Sequence, residues 1–126
     1  MPDFQVESYR VRTRRATAAA PARRTIFLLG VALAHGIRNK ALLRFRESSS
    51  LPASLGDVSN VGGLNFDGEF ATAYFHTSDF EDTYKILQTE KPVNVFYEYT
   101  PSGGESRQLS FMEIGTFEEP VGEEET

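Results

Sequence analysis

The fold is decided by three consecutive segments: EFATAYFHT (residues 69–77), SDFEDTYKILQTEKP (78–92) and VNVFYEYTPSGGESRQLSFMEIGTF (93–117). The first segment and the start of the third are short runs rich in aromatic and β-branched residues, which are typical of strands. PSGG (101–104) predicts a turn inside the third segment, so that its two halves pair as a hairpin. Together these signals predict strand, helix, strand, turn and strand, in that order.

The middle segment predicts an amphipathic helix over about 78–90. Ser78 and Glu81 have the spacing of a capping box, and Pro92 cannot continue a helix. The residues with helical spacing that would form its apolar side are Phe80, Thr83, Tyr84, Ile86 and Leu87.

TIFLLGVALAHG (25–36) is the most apolar run in the chain, and we interpret it as a strand buried on both faces. Two alternatives stay open, because basic residues precede the run and an A-x-A sequence ends at Ala34. In these alternatives residues 1–34 direct export or organelle targeting. The strand interpretation favours a cytoplasmic protein.

Two more strands are expected near this apolar run. KALLRFRESS (40–49) alternates apolar and basic residues, and we predict that it forms a hairpin with residues 25–34, with a short helix as the alternative. In residues 4–14 the apolar positions change parity between Val6 and Tyr9. This change indicates a bulge, a frayed end or the absence of a strand.

These elements predict an α+β fold with five to six strands, arranged as a mostly antiparallel sheet or as a small OB-like barrel. The single helix would lie between the third-last and second-last strands. We expect a basic N-terminal strand, arm or connector over 1–24 and a single α+β domain over 25–117. An acidic tail without regular structure would follow over 118–126.

Composition excludes several function classes. The chain has 126 residues, enough for one domain with its own core. It has no cysteine, which excludes disulfides, thiolate catalysis, cysteine zinc sites and iron–sulfur clusters. No apolar run approaches the roughly 20 residues that span a bilayer, so no transmembrane segment is expected.

Charge is strongly segregated along the chain. Residues 1–46 have a net charge of +8 and residues 47–126 a net charge of −13. Pairing of the basic with the acidic half, within one chain or in a homo-oligomer, is the interpretation that we favour. The alternative is single-stranded nucleic-acid binding, in which Arg44 and Arg46 would flank a stacking ring, Phe45.

Few residues suggest catalysis. The glycine-rich stretch 48–68 is expected to be a long loop or a pair of short irregular strands. It lacks the spacing of a phosphate loop or an EF-hand, but long loops are often functional, and Asn60 and Asp67 are its candidate binding residues. His76 precedes several acids, and with Asp79 as its partner it is the candidate catalytic base. The other histidine, His35, is distant in sequence, so no metal site and no cofactor are predicted.

Phe96 is a candidate partner-binding residue, because Val95 and Tyr97 should face the core and leave Phe96 outward. Coverage of that face by the N-terminal segment is the alternative. The favoured function is a small non-catalytic binding or self-assembly module. The alternatives are an OB-like nucleic-acid binder that uses the basic N-terminal half, and a small enzyme centred on His76 and the 56–68 loop.

Overall fold

The computed structural model describes residues 3–15, 17–18, 23–33, 36–61, 68–100 and 106–116. The strands are β1 (Asp3–Arg14), β2 (Arg23–Gly30), β3 (Lys40–Arg46), β4 (Gly56–Val61), β5 (Gly68–His76), β6 (Asn94–Tyr99) and β7 (Ser106–Gly115). The helix α1 spans Phe80–Thr89, and short 3-10 turns span Ser48–Ser50 and Thr77–Asp79.

The α+β prediction is confirmed, with a mostly antiparallel sheet and one α-helix between the third-last and second-last strands in the described part of the chain. The predicted count of five to six strands is wrong, because the described residues form seven. The strand that this count left out is β4, within the glycine- and serine-rich stretch. Its sequence, GDVSNV, lacks a run of apolar residues, and pairing with β5 and β7 on its two sides holds it in place.

The strands follow the order β1-β2-β3-β5-β4-β7-β6. Neighbouring strands are antiparallel except β3 and β5, which run parallel. The first three residues of β1 also pair with β6, so that β1 has neighbours at both ends of the order.

A bulge in β1 explains the change of parity seen in the sequence. The register of β1 against β2 shifts between Val6 and Ser8. Phe4 before the shift is buried, and Val11 after it also packs against the core. Because the bulge changes parity, Arg10 and Arg12 face away from the core.

The run 25–30 belongs to β2, as the strand interpretation predicts, and it forms the expected hairpin with β3. Ile26 and Leu28 are fully buried, whereas Phe27 and Leu29 on the other side are half-buried. The run is therefore more completely covered on one face than on the other. Export or organelle targeting by residues 1–34 stays a prediction from the sequence.

The core lies between the inward faces of the strands, and α1 packs at one end of it. The ring centroid of Phe80 on α1 is 5.2 Å from that of Phe45 on β3. Phe80, Thr83 and Leu87 are the buried residues of the helix, in agreement with the predicted apolar stripe. The other buried apolar side chains are Phe4, Ile26, Leu28, Ala41, Leu43, Val58, Ala71, Ala73, Val93, Val95, Tyr97 and Leu109.

The capping box predicted at the helix start is wrong. A 3-10 turn over Thr77–Asp79 precedes α1, and the N-cap of α1 is Asp79, whose side chain makes no capping hydrogen bond. The side chain of His76 caps the 3-10 turn instead, because its Nδ1 accepts a hydrogen bond of 3.0 Å from the Ser78 N–H.

Candidate functional site

The outward side chains of β1, β2, β3 and β5 form one surface, which we call the basic face. Directly opposite residues on paired strands share a face, so the strand registers identify its members. Its seven cations are Arg10, Arg12, Arg14, Arg23, Lys40, Arg44 and Arg46. Its apolar and aromatic members are Phe27, Leu29, Leu42, Phe70 and Tyr74, all half-buried.

Cations and aromatic rings stand side by side on this face. Three cation–aromatic pairs lie directly opposite each other on neighbouring strands: Arg10 and Phe27, Lys40 and Phe70, and Arg44 and Tyr74. The rings of Phe27 and Phe70 are nearly perpendicular, with centroids 6.2 Å apart. The face therefore combines positive charge with aromatic surface over four adjacent strands.

Positive charges also oppose each other across the strands. Arg14 of β1 lies directly opposite Arg23 of β2. Burial lowers the pKa of Arg46, and the positive charges of Arg23 and Arg44 lower it further. Like charges placed opposite each other destabilise a sheet, so this arrangement has a cost in folding stability.

The ion pairs of the described residues lie elsewhere: Arg24 with Glu81 at 3.6 Å, Arg38 with Glu7, and Arg107 with Glu69 at 3.0 Å. Within the same ranges, no cation of the basic face has an acidic partner. The Nε of Arg44 is buried without a hydrogen-bond partner. Of the three pairs, Arg24 with Glu81 is the one that joins the basic N-terminal half to the acidic C-terminal half.

The structure places two of the three predicted nucleic-acid contacts on the basic face and corrects the third. Arg44 and Arg46 point outward, but Phe45 between them is 1% exposed and packs against Phe75 and Phe80. Successive residues of a strand face opposite sides, so the stacking ring that we assigned to Phe45 cannot lie beside these arginines.

The predicted loop site lies almost wholly outside the described residues. The backbone of Asn60 belongs to β4, whereas its side chain, Asp67 and His35 are outside the description. Phe96 is half-buried on β6, and Asn94 on the same side of that strand is only 3% exposed. The outward side of β6 is therefore partly covered.

His76 has the geometry of a capping residue. Its Nδ1 accepts from the Ser78 N–H, so a neutral ring carries its proton on Nε2. Nε2 lies 3.0 Å from the Ser48 Oγ and donates to it in this tautomer. A ring that donates to Ser48 cannot take the proton of that hydroxyl, and among the described contacts Asp79 does not orient the ring.

A polar cluster that we did not predict lies at the other end of the sheet. Tyr97 and Tyr99 donate hydrogen bonds of 2.5 and 3.0 Å to the two carboxylate oxygens of Glu69. Arg107 pairs with the same carboxylate and lies over the Tyr99 ring, 4.3 Å from its centroid. The sequence contained one signal for this cluster. Glu69 and the buried Ala71 are two residues apart on β5, so their side chains lie on the same face of the strand.

The Glu69 cluster is internally satisfied. Burial raises the pKa of both tyrosines, and the hydrogen bonds and negative charge of Glu69 raise it further. The Glu69 carboxylate is paired with an arginine, and each of its two oxygens accepts a hydrogen bond from a tyrosine hydroxyl. We assign the cluster a structural role.

Comparisons with known proteins give no family for this chain. No protein-family model, no curated protein and no solved structure matches it. The described residues include no helix with the length and apolar character needed to cross a membrane. Within the same residues, no three histidine or acidic side chains are grouped so as to hold a metal ion.

Proposed function

We propose that this protein is a small non-catalytic binding module that binds polyanions through the basic face. The observation that supports this proposal best is the group of seven cations that have no acidic partner among the described residues. A polyanion on this face would neutralise charges that now repel each other across the strands, such as those of Arg14 and Arg23.

The ion-pair pattern favours an external ligand over neutralisation within the sheet. If the two halves of the chain neutralised each other there, their arginines and acids would meet in several places. In the described residues they meet at one pair, Arg24 with Glu81, whose atoms are 3.6 Å apart and whose side chains are 39% and 80% exposed, so the pair is weak. The competing proposal is self-association, in which the basic half of one chain binds the acidic half of another.

The capping geometry of His76 supports a non-catalytic role over an enzyme centred on this residue. Both ring nitrogens already have hydrogen-bond partners within the protein. We also propose the small barrel, the alternative to an open sheet, as the arrangement of the strands. Pairing of β1 with both β2 and β6 supports a curved sheet whose convex side carries the basic face.

The test is binding of inorganic polyphosphate, a polyanion without bases or sugars, measured by isothermal titration calorimetry at about 50 mM salt. The Arg10→Gln/Arg12→Gln variant removes two exposed charges from the basic face. We expect it to lower the affinity about tenfold or more, because contacts of arginine with phosphate are charge-assisted.

The matched control is Lys85→Gln/Lys91→Gln, which removes two exposed charges from outside the basic face. We expect it to change the affinity about twofold or less, since these charges act only at long range. Equal losses in the two variants, or no polyphosphate binding by the unaltered protein, would overturn the proposal.

A further inference from the structure

We infer that the ligand of the basic face is single-stranded nucleic acid, with its phosphates on the cations and its bases stacked on Phe27, Phe70 and Tyr74. This inference rests on the proposed function and narrows it to one class of polyanion. Three features of the face carry it: the cation–aromatic pairs, rings over which no arginine of the described residues lies, and the concentration of arginine.

The cation–aromatic pairs match the alternation of charge and ring in a nucleic-acid strand. Directly opposite side chains on paired strands have Cβ atoms about 5 Å apart, so each ring has a positive charge as its immediate neighbour. Arg10 with Phe27, Lys40 with Phe70, and Arg44 with Tyr74 repeat this unit on neighbouring strands. A base on the ring would bring its own phosphate within reach of the cation.

The rings are not occupied by the arginines beside them. In the described part of the chain, the arginines that lie over rings are Arg24 over Phe80, at 4.7 Å, and Arg107 over Tyr99. The aromatic residues of the basic face have no such contact. The rings are half-buried, and Phe27 and Phe70 contact each other edge to face. The exposed part of each ring is free of the protein's own cations and can accept a base.

Stacking on these rings requires bases that are not stacked on each other, so the inference concerns single strands. In a duplex the base faces are covered by the neighbouring base pairs, and only groove edges and phosphates are accessible. An acidic protein segment would use the arginines but would leave the rings without a role. Sequence-tolerant binders of single strands use both kinds of contact.

The experiment measures fluorescence anisotropy of a labelled 12-nucleotide oligothymidylate at about 100 mM salt. Phe27→Leu and Phe70→Leu, made separately, keep an apolar side chain and remove the ring. We expect each to weaken binding by about fivefold or more, because one stacked base contributes roughly 1 kcal/mol or more. Phe111→Leu, which alters a 37% exposed ring on β7, is the matched control and should leave binding unchanged.

A further ligand separates this inference from the proposed function. An abasic deoxyribose-phosphate strand of the same length should bind more weakly than the oligothymidylate and should not distinguish the phenylalanine variants from the unaltered protein. Thermal unfolding of each variant shows that it is folded. The unaltered protein supplies a second measurement: if four phosphates are bound, log K should fall with log salt with a slope of about −3.

The outcomes are distinct. Equal affinity for the abasic strand, tighter binding of duplex DNA, or tighter binding of a polyglutamate peptide would overturn the nucleic-acid inference while the polyanion function stands. Failure of every polyanion to bind would overturn both. Loss of oligothymidylate binding in the two phenylalanine variants, with unchanged abasic-strand binding, would support the inference.

Discussion

At the scale of single residues, the clearest chemical consequence concerns Tyr97. Its hydroxyl is buried and donates to Glu69, and both features raise its pKa. A tyrosine in an unfolded chain has a pKa of about 10. Above that pH the unfolded state therefore loses a proton that the folded state keeps. The contribution of Tyr97 to stability is full below about pH 10 and declines as the pH rises further.

We predict that Tyr97→Phe flattens this alkaline decline. The free energy of unfolding, from urea titrations followed by circular dichroism between about pH 8 and 11, should fall less steeply in the variant. At neutral pH the variant should be less stable by about 2 kcal/mol, because a hydrogen bond to a carboxylate is lost. Tyr9→Phe, at an exposed position, is the control. The same slope in Tyr97→Phe and in the unaltered protein would contradict this account.

Phe45 shows which part of the candidate site the sequence did not predict. Alternation in KALLRFR separates Phe45 from Arg44 and Arg46, and that pattern alone predicts opposite faces. We nevertheless grouped them as one binding site, and the structure buries Phe45. The ring beside Arg44 is Tyr74, from a strand whose pairing with β3 has no local signal in the sequence.

At the scale of elements, local sequence patterns predicted the strands and the helix in which such patterns occur. The strand 68–76, the helix, and the hairpin of β6 and β7 are where the patterns indicated. The strand β4 lacks such a pattern and depends on its two neighbours, of which β7 is distant in sequence. The same dependence on distant pairing hid the Glu69 cluster, whose members come from β5, β6 and β7.

The start of β4 provides a sharp test of this packing. Gly56 has φ of +150°, and a Cβ there would lie 1.8 Å from the carbonyl oxygen of Thr72 on β5. We predict that Gly56→Ala lowers the free energy of unfolding by about 3 kcal/mol or more, because backbone strain and a clash with a backbone atom both contribute. Urea denaturation measures the loss.

Gly115→Ala, on β7, is the matched control for this substitution. A Cβ at Gly115 would meet nothing within 4 Å, and we expect a change of about 0.5 kcal/mol or less. If the two alanine variants were equally stable, the close approach of β4 to β5 would be contradicted.

At the scale of the whole molecule, the fold converts a segregated sequence into a segregated surface. The basic N-terminal half supplies β1, β2 and β3, which are neighbours in the sheet. Their outward cations therefore gather on one side although the formal net charge of the chain is −5. Composition revealed the asymmetry, but only the strand order shows that it forms a single face.

This arrangement predicts an effect of the acidic C-terminal segment. Residues 118–126 contain five glutamates and no basic residue, so deleting them brings the formal net charge to zero. We expect the deletion to raise the association rate with polyphosphate severalfold at about 50 mM salt, because long-range repulsion decreases. The gain should largely disappear at about 1 M salt.

Stopped-flow mixing with labelled polyphosphate measures this rate. A full-length variant with the five glutamates changed to glutamine is the control for chain length, and it should behave like the deletion. Unchanged association rates in both variants would show that the acidic segment does not influence the basic face.

The double pairing of β1 has a consequence for biosynthesis. Phe4 of β1 pairs with Val95 of β6, a residue 91 positions later in the chain. At ribosomal speeds of about 5–20 residues per second, the partner of this end of β1 is made on the order of 5 to 20 s afterwards. The hairpin of β2 and β3 can form early, but the start of β1 must wait for nearly the whole domain to emerge. Nascent chains of this protein therefore pass through a period in which Phe4 lacks its neighbours from β6, Val95 and Tyr97, and that period is when chaperone capture or aggregation would compete with folding.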